Sequence, residues 1–198
     1  MQTIRVAAVS MNSPLGQQDQ TLQRMAEFCE RAASDSAELV LFPELVIHGH
    51  CTPNTWDVAE AVPDGPSVER LIDLAKRYDI FLSAGLSEKE NDIVFNTQVL
   101  VGPEGYIGKQ RKIHMSRDET LFYKGGREIT VHDLGFCKVG TIICYDNQLP
   151  EVPRILALKG AEVLLMPHAA RVKMWDDDVP GSMAEARGHS HDFFVSCY

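Results

Sequence analysis

The chain has no Cys-x-x-Cys pair, no Gly-x-Gly-x-x-Gly or phosphate-loop signature, and no apolar run approaching the length of a membrane span. Without paired cysteines, the odd set Cys29, Cys51, Cys137, Cys144 and Cys197 points neither to a disulfide framework nor to a cysteine-rich zinc site. Without a glycine-rich loop there is no basis in the sequence for a nucleotide cofactor, and none is expected. The N-terminus lacks a basic-then-apolar export pattern, so the expected compartment is the cytoplasm, where thiols stay reduced, with no membrane partner. Basic residues are outnumbered: 19 Lys and Arg stand against 28 Asp and Glu, for a net charge of −9. Positive charge gathers only in the local patch Lys109, Arg111, Lys112 and Arg117. With no basic stripe, a nucleic-acid partner is not expected.

What is present is ordinary for a globular protein: 198 residues, 44% hydrophobic and 24% charged, enough for one domain with a sizeable core. Val6 to Val9 are continuously apolar, which reads as a buried strand over 4–10. Leu22, Met25, Cys29 and Ala32 recur at helical spacing over 18–33. A second short strand over 38–42 ends at Pro43. Pro66 opens a helix with Val68, Leu71, Ile72, Ala75 and Tyr78 on one face, and a third strand covers 80–85. Residues 94–101 and 106–108 flank the turn Gly102-Pro103-Glu104-Gly105. The charged segment 109–127 reads as a long loop over a rigid scaffold. Two antiparallel strands around Gly135 come next (129–134 and 137–144), then a helix after Pro150, a strand over 163–166, a helix over 182–189 and a strand over 193–197. Strands alternating with helices, with hairpins interleaved, indicate an α/β layered domain.

Three residues stand out by context. Glu44 closes Leu-Phe-Pro-Glu after a buried strand, Lys112 lies in Gly-Lys-Gln-Arg-Lys-Ile-His, and Cys144 ends Val-Gly-Thr-Ile-Ile-Cys before Tyr145 and Asp146. A carboxylate, an ammonium and a thiol are the groups needed for nucleophilic attack on a carbonyl carbon. Each also has a plain reading: a cap for the next segment, a solvated basic face, a small buried hydrophobe. Both readings stand until the fold brings the three together. Two short clusters, His48 with His50 and Cys51, and His189 with His191 and Asp192, hold potential metal ligands, but neither has a complete four-ligand pattern, and no metal is expected.

Taken in order, the motifs Phe42-Pro43-Glu44-Leu45, Arg111-Lys112-Ile113-His114 and Cys144-Tyr145-Asp146 with Pro150-Glu151 resemble those of the nitrilase, or carbon–nitrogen hydrolase, superfamily. Gly160-Ala161-Glu162, a strand ending at Pro167, and Glu119 with Phe122 and Gly126 downstream continue the resemblance. It implies an α-β-β-α four-layer sandwich whose strand ends gather Glu44 as base, Lys112 as oxyanion stabiliser, Cys144 as nucleophile and Glu119 as positioner of Lys112. The backbone N–H of Tyr145 is the implied second oxyanion donor. The reaction implied is hydrolysis of a non-peptide carbon–nitrogen bond through a thioester, without metal or cofactor.

Cys-Tyr-Asp resembles the amidase and carbamoylase branches, so an amide or N-carbamoyl (ureido) small molecule is the expected substrate. Nitrile hydrolysis, acyl transfer to an amine, and a non-catalytic scaffold that keeps the fold remain alternatives. His168 and Arg171 offer a cationic anchor for a substrate carboxylate, or an ordinary basic loop. A homodimer or larger homo-oligomer is implied. Further strands beyond Tyr198 are implied too, so the domain 1–198 is expected to lack its C-terminal part. His50, in place of a common tyrosine, Pro153 early in its helix, and Ser190-His191, in place of Glu-Asn, depart from the family pattern.

Overall fold

The computed structural model describes residues 3–116, 118–169 and the strand 193–197. Strands β1 (Val6–Ala8), β2 (Leu39–Leu41), β3 (Phe81–Glu90), β4 (Ile93–Gly102) and β5 (Gly105–Arg111) form one sheet in that order. The first three run parallel and the next two pair antiparallel. Helix α1 (Gln18–Ser34) carries the chain from β1 to β2. The short α2 (Thr55–Val58) and α3 (Pro66–Tyr78) lie between β2 and β3. A second sheet holds β6 (Val131–Asp133), β7 (Lys138–Thr141), β8 (Val163–Pro167) and β9 (Phe193–Cys197), with α4 (Glu151–Leu158) linking the parallel pair β7 and β8.

Side-chain alternation assigns the layers. Val40 and Phe42 pack with Met25, Cys29, Leu71 and Ala75 of α1 and α3. Leu39 and Leu41 point the other way and meet Val139, Val163 and Leu165 of the second sheet. On that sheet's far side, Ile142, Leu164 and Met166 cover Val152 and Leu156 of α4. The order is helices, sheet, sheet, helix, as expected. β2 is buried on both faces and continuously apolar, whereas the buried strand expected over 4–10 shortens to the partly buried Val6–Ala8 at the sheet's edge, with Ala8 exposed.

Several boundaries differ from the sequence expectation. Strand β3 continues through Glu90 and turns back at Asn91, whose φ is +53°, to pair with β4 along its whole length. The charged string Glu88-Lys89-Glu90 disguises this hairpin. Glu88 is in fact buried, accepting from Thr97, Arg111 and Lys109. The segment over 109–127 is not all loop, since β5 runs to Arg111. Lys112 is fully buried, not part of a solvated basic face. Pro153 falls in the first turn of α4, where its missing N–H costs nothing. The helix over 182–189, Arg171, the second histidine cluster and Ser190-His191 lie outside the described residues. No helix among the described residues is long and apolar enough to cross a membrane.

Gly85 ties β3 to the segment that carries Glu44. A Cβ there would lie 2.8 Å from the Glu44 carbonyl carbon and from Pro43 O, and closer still to Leu45 N. The Gly85 N–H donates to Pro43 O at 3.2 Å, and its carbonyl accepts from Ile47 N–H at 3.1 Å. β3 therefore sets the position of the Glu44 segment through direct backbone approach. Gly85→Ala is expected to cost about 1–3 kcal/mol in urea unfolding, and to slow Cys144 modification by moving Glu44.

Candidate functional site

The functional candidates sit where strands end. Glu44 follows β2, Lys112 follows β5, Cys144 follows β7, and His168 and Ala169 follow β8; carboxyl ends of strands are where open α/β sheets present ligands and catalytic groups. Cys144 has φ +48°, in the left-handed region that a side chain with a Cβ seldom adopts. That sharp corner opens a 3-10 turn over Cys144–Gln148, three residues past the end of β7. Such strain, of order 1–3 kcal/mol, persists where the surroundings hold it.

Asp146 supplies part of that hold. Its carboxylate is 1% exposed and accepts from Ile113 N–H at 3.2 Å and His114 N–H at 2.8 Å. The His114 ring nitrogen Nδ1 is a further partner at 2.9 Å. The cysteine turn is thereby pinned to the residues immediately after Lys112. Burial leaves the Asp146 carboxyl above its ordinary value, with the His114 and Ile113 bonds working against the rise.

The centre of the site is a lysine between two carboxylates. Lys112 Nζ donates to Glu44 Oε1 at 2.7 Å and to Glu119 Oε1 and Oε2 at 2.7 and 2.8 Å. Its three hydrogens therefore all have acceptors. Glu119 opens a 3-10 turn, Glu119–Leu121. Its Oε2 also accepts from Ser116 N–H at 2.8 Å and Ser116 Oγ at 2.6 Å, while His50 Nε2 is 3.3 Å from Oε1. Asn96 Nδ2 donates to both carboxylates, at 2.8 Å to Glu44 and 3.2 Å to Glu119. Ala169 N–H donates to Glu44 Oε2 at 2.8 Å.

Charge follows from these contacts. Burial opposes the Lys112 ammonium, but Glu44, Cys144 and Glu119 overcome it and hold the amine protonated well beyond its usual range. Burial likewise opposes the Glu119 carboxylate, and His50, Lys112 and Ser116 reverse that, keeping it far below the usual carboxylate range. His50 is pushed up to about 10, because its interactions with Cys51, Glu119 and Glu44 outweigh burial. His50 and Lys112, both favoured in their cationic forms, thus face the two carboxylates. The Cys144 thiol is raised far above an ordinary cysteine by burial and by the Glu44 charge, with Lys112 pulling the other way. At rest the site holds a thiol beside a carboxylate.

Of the residues singled out by sequence, Glu44, Lys112, Glu119 and Cys144 come together. Tyr145 lies in the cysteine turn with its side chain half exposed. His168 is half-buried, one residue before the Ala169 N–H that reaches Glu44. Glu44, His50 and Glu119 each place one ligand atom within 4.8 Å of the others, a spacing that suits a metal ion. The Lys112 ammonium, at 2.7 Å from both carboxylates, already supplies positive charge between them.

Sequence reasoning misses Asn96, Ser116 and the role of Asp146. A signal for Asn96 exists: Asn96, Thr97 and Gln98 form a polar run inside a strand that is otherwise apolar, and all three are buried. Gln98 Nε2 donates to Phe42 O and Ser83 Oγ, both at 3.1 Å, steadying the backbone just ahead of Glu44.

A doubly covered α/β sandwich with a thiol, a carboxylate and a doubly paired lysine at its strand ends defines a class of cysteine-centred α/β proteins. The family model for carbon-nitrogen hydrolases matches residues 5–197, and the chain belongs to that family. It is 38% identical to a nitrilase of Pyrococcus abyssi over 178 residues, 85% of this chain and 68% of that protein. It is 31% identical to a citrullinase of Francisella tularensis over 179 residues, 85% of this chain and 62% of that one. The crystal structure of Saccharomyces cerevisiae Nit3, a member of branch 10 of the nitrilase superfamily, superposes with a TM-score of 0.79 at 29% identity. That match covers 86% of this chain and 66% of that one. The chain thus spans roughly two thirds of the length of these relatives.

The depressed carboxylates set an acid limit to stability. Glu119, Glu60 and Glu88 are all held below the ordinary value of 4.5 in the folded protein. Their contribution is therefore complete above about pH 4.5 and lost as pH falls below it through the folded values. Urea unfolding is expected to show stability dropping below that pH. Glu119→Gln should lower stability at pH 7 and flatten the acid fall.

Proposed function

We propose that the chain forms the catalytic domain of a cofactor-independent thiol amidohydrolase. On this reading it cleaves an amide or N-carbamoyl small molecule through a thioester on Cys144. The observation that carries the reading is the buried Lys112 paired at 2.7 Å with both Glu44 and Glu119, with Cys144 brought to the same site. A thiol this strongly raised needs a base in contact with it, and Glu44 is that base. As sulfur attacks the carbonyl carbon, Glu44 takes the thiol proton and becomes neutral. Its hold on Lys112 then weakens, and the ammonium, still anchored by Glu119, turns a hydrogen toward the new oxyanion.

Lys112 thus changes partner at the moment when charge moves from carboxylate to substrate. The Tyr145 N–H serves as second donor; each such donor is worth about 3 kcal/mol in the transition state. Glu44 next passes its proton to the departing ammonia or amine. Water then cleaves the thioester, with Glu44 again as base. Glu119 is a positioner and not a second base, because its charge is fixed by His50, Lys112 and Ser116. The Francisella relative named citrullinase supports a ureido substrate, and His168 with Arg171 would then meet its carboxylate. A homodimer or larger assembly in the cytoplasm belongs to the same reading.

The Pyrococcus relative named nitrilase favours a second reading, in which the same thiol adds to a nitrile carbon. Ammonia release across amides, N-carbamoyl amino acids and nitriles separates the two. Amides or ureides are expected to be preferred, with turnover lost in Cys144→Ala and lowered about a hundredfold or more in Lys112→Ala. Turnover surviving in Cys144→Ala contradicts the thioester, and selectivity for nitriles replaces the first reading with the second.

A further inference from the structure

The acid–base scheme leaves one buried polar side chain without a task. Asn96, on β4, is 1% exposed. Its carbonyl accepts the Lys112 backbone N–H at 2.8 Å, and its Nδ2 donates to Glu44 and Glu119. One residue therefore touches both carboxylates and the lysine. Its Oδ1 has no hydrogen-bond partner among the described residues. The amide is oriented by its donor end alone, since the flipped form would set Oδ1 against two carboxylate oxygens.

A carboxylate oxygen offers two lone pairs. On Glu44, Oε1 receives two donors, Lys112 Nζ at 2.7 Å and Asn96 Nδ2 at 2.8 Å, which makes it the less basic oxygen. Oε2 receives Ala169 N–H at 2.8 Å, leaving one acceptor position. We propose that Asn96 is a positioning residue that gives Oε1 of Glu44 its second donor and so directs proton exchange with the Cys144 thiol to Oε2. The inference rests on the thiol-hydrolase reading and deepens it. In the step concerned, the S–H bond breaks, an O–H bond forms at Oε2, the sulfur electron pair makes the new S–C bond, and the carbonyl π pair moves onto oxygen as the oxyanion.

A primary amide suits this position. Its two coplanar hydrogens serve one carboxylate each, whereas a hydroxyl has only one and an ionised carboxylate none. Without Asn96, each Glu44 oxygen keeps a single donor, Lys112 on Oε1 and Ala169 on Oε2, and the proton divides between them. The charged and titratable groups around Glu44 are Lys112 just after β5, Glu119 in its turn, His50 in the segment after β2, and the Cys144 thiol after β7.

The test is the pH–rate profile of iodoacetamide alkylation at Cys144, located by peptide mass, in the full chain and in Asn96→Ala, Asn96→Asp and Glu44→Gln, with thermal unfolding of each. Asn96→Ala is expected to react about ten- to hundredfold more slowly at neutral pH. Asn96→Asp, nearly the same size, donates only when protonated. Its deficit should be small at acidic pH and widen as pH rises, and it carries the test if Asn96→Ala does not fold. A wild-type rate in Asn96→Ala, or a deficit in Asn96→Asp that does not vary with pH and merely tracks lower thermal stability, overturns the proposal. Glu44→Gln separates the two levels. If it alkylates as fast as wild type, the thiol–carboxylate reading itself fails. If it is slow while Asn96→Ala is normal, only the Asn96 assignment fails.

Discussion

A lysine ammonium with no access to solvent survives as a charge only where its desolvation is repaid by well-placed anions. Lys112 meets that condition with three acceptor oxygens within 2.8 Å. Removing one partner of such a buried pair typically costs about 3–5 kcal/mol, because the other charge is stranded. The carboxylates depend on the lysine as much as it depends on them. Glu44, Lys112 and Glu119 are therefore one electrostatic object, and His50, favoured as a cation, faces it from the segment after β2. The geometry around it follows from that constraint. Asn96 supplies neutral donors to both acids, Ser116 fixes the outer oxygen of Glu119, and Asp146 ties the cysteine turn to the backbone beside Lys112.

The same constraint explains why the site lies between two sheets. Glu44 and Lys112 are 68 residues apart in sequence, yet β2 and β5 belong to one sheet whose strands deliver both at its edge. Cys144 comes from the second sheet, reached across the apolar layer of Leu39, Leu41, Val139 and Leu165. Packing between the sheets thus fixes the distance from thiol to carboxylate, and the chemistry inherits the rigidity of the core. Gly85 does the same within the first sheet, where only a residue without a Cβ lets β3 approach the Glu44 backbone.

Much of this is readable from the chain. A continuous apolar run such as Leu39 to Phe42 signals a strand covered on both faces, and the motifs around Glu44, Lys112 and Cys144 point to one site. The features that escape share a physical cause. Glu88 and Lys112 read as solvated charges, because sequence shows a charge but not the partners that let it be buried. Residues of the supporting shell, Asn96 and Asp146, act through hydrogen bonds across 52 and 32 residues of chain, and no local pattern marks such a pairing. The β3–β4 hairpin is hidden for the same reason, since its charged arm is neutralised by Arg111 and Lys109 from β5.

The proposed chemistry stands or falls on whether Cys144 becomes acylated while Glu44 and Lys112 manage the proton and the oxyanion. The most direct measurement is a rapid acid quench during turnover of an amide or ureide, followed by peptide-resolved mass spectrometry. The expected result is an adduct on Cys144 equal to the substrate's acyl group, with the nitrogen leaving group already lost, that decays as product forms. Turnover with no adduct at any time in the course, or an adduct on another cysteine, would contradict it.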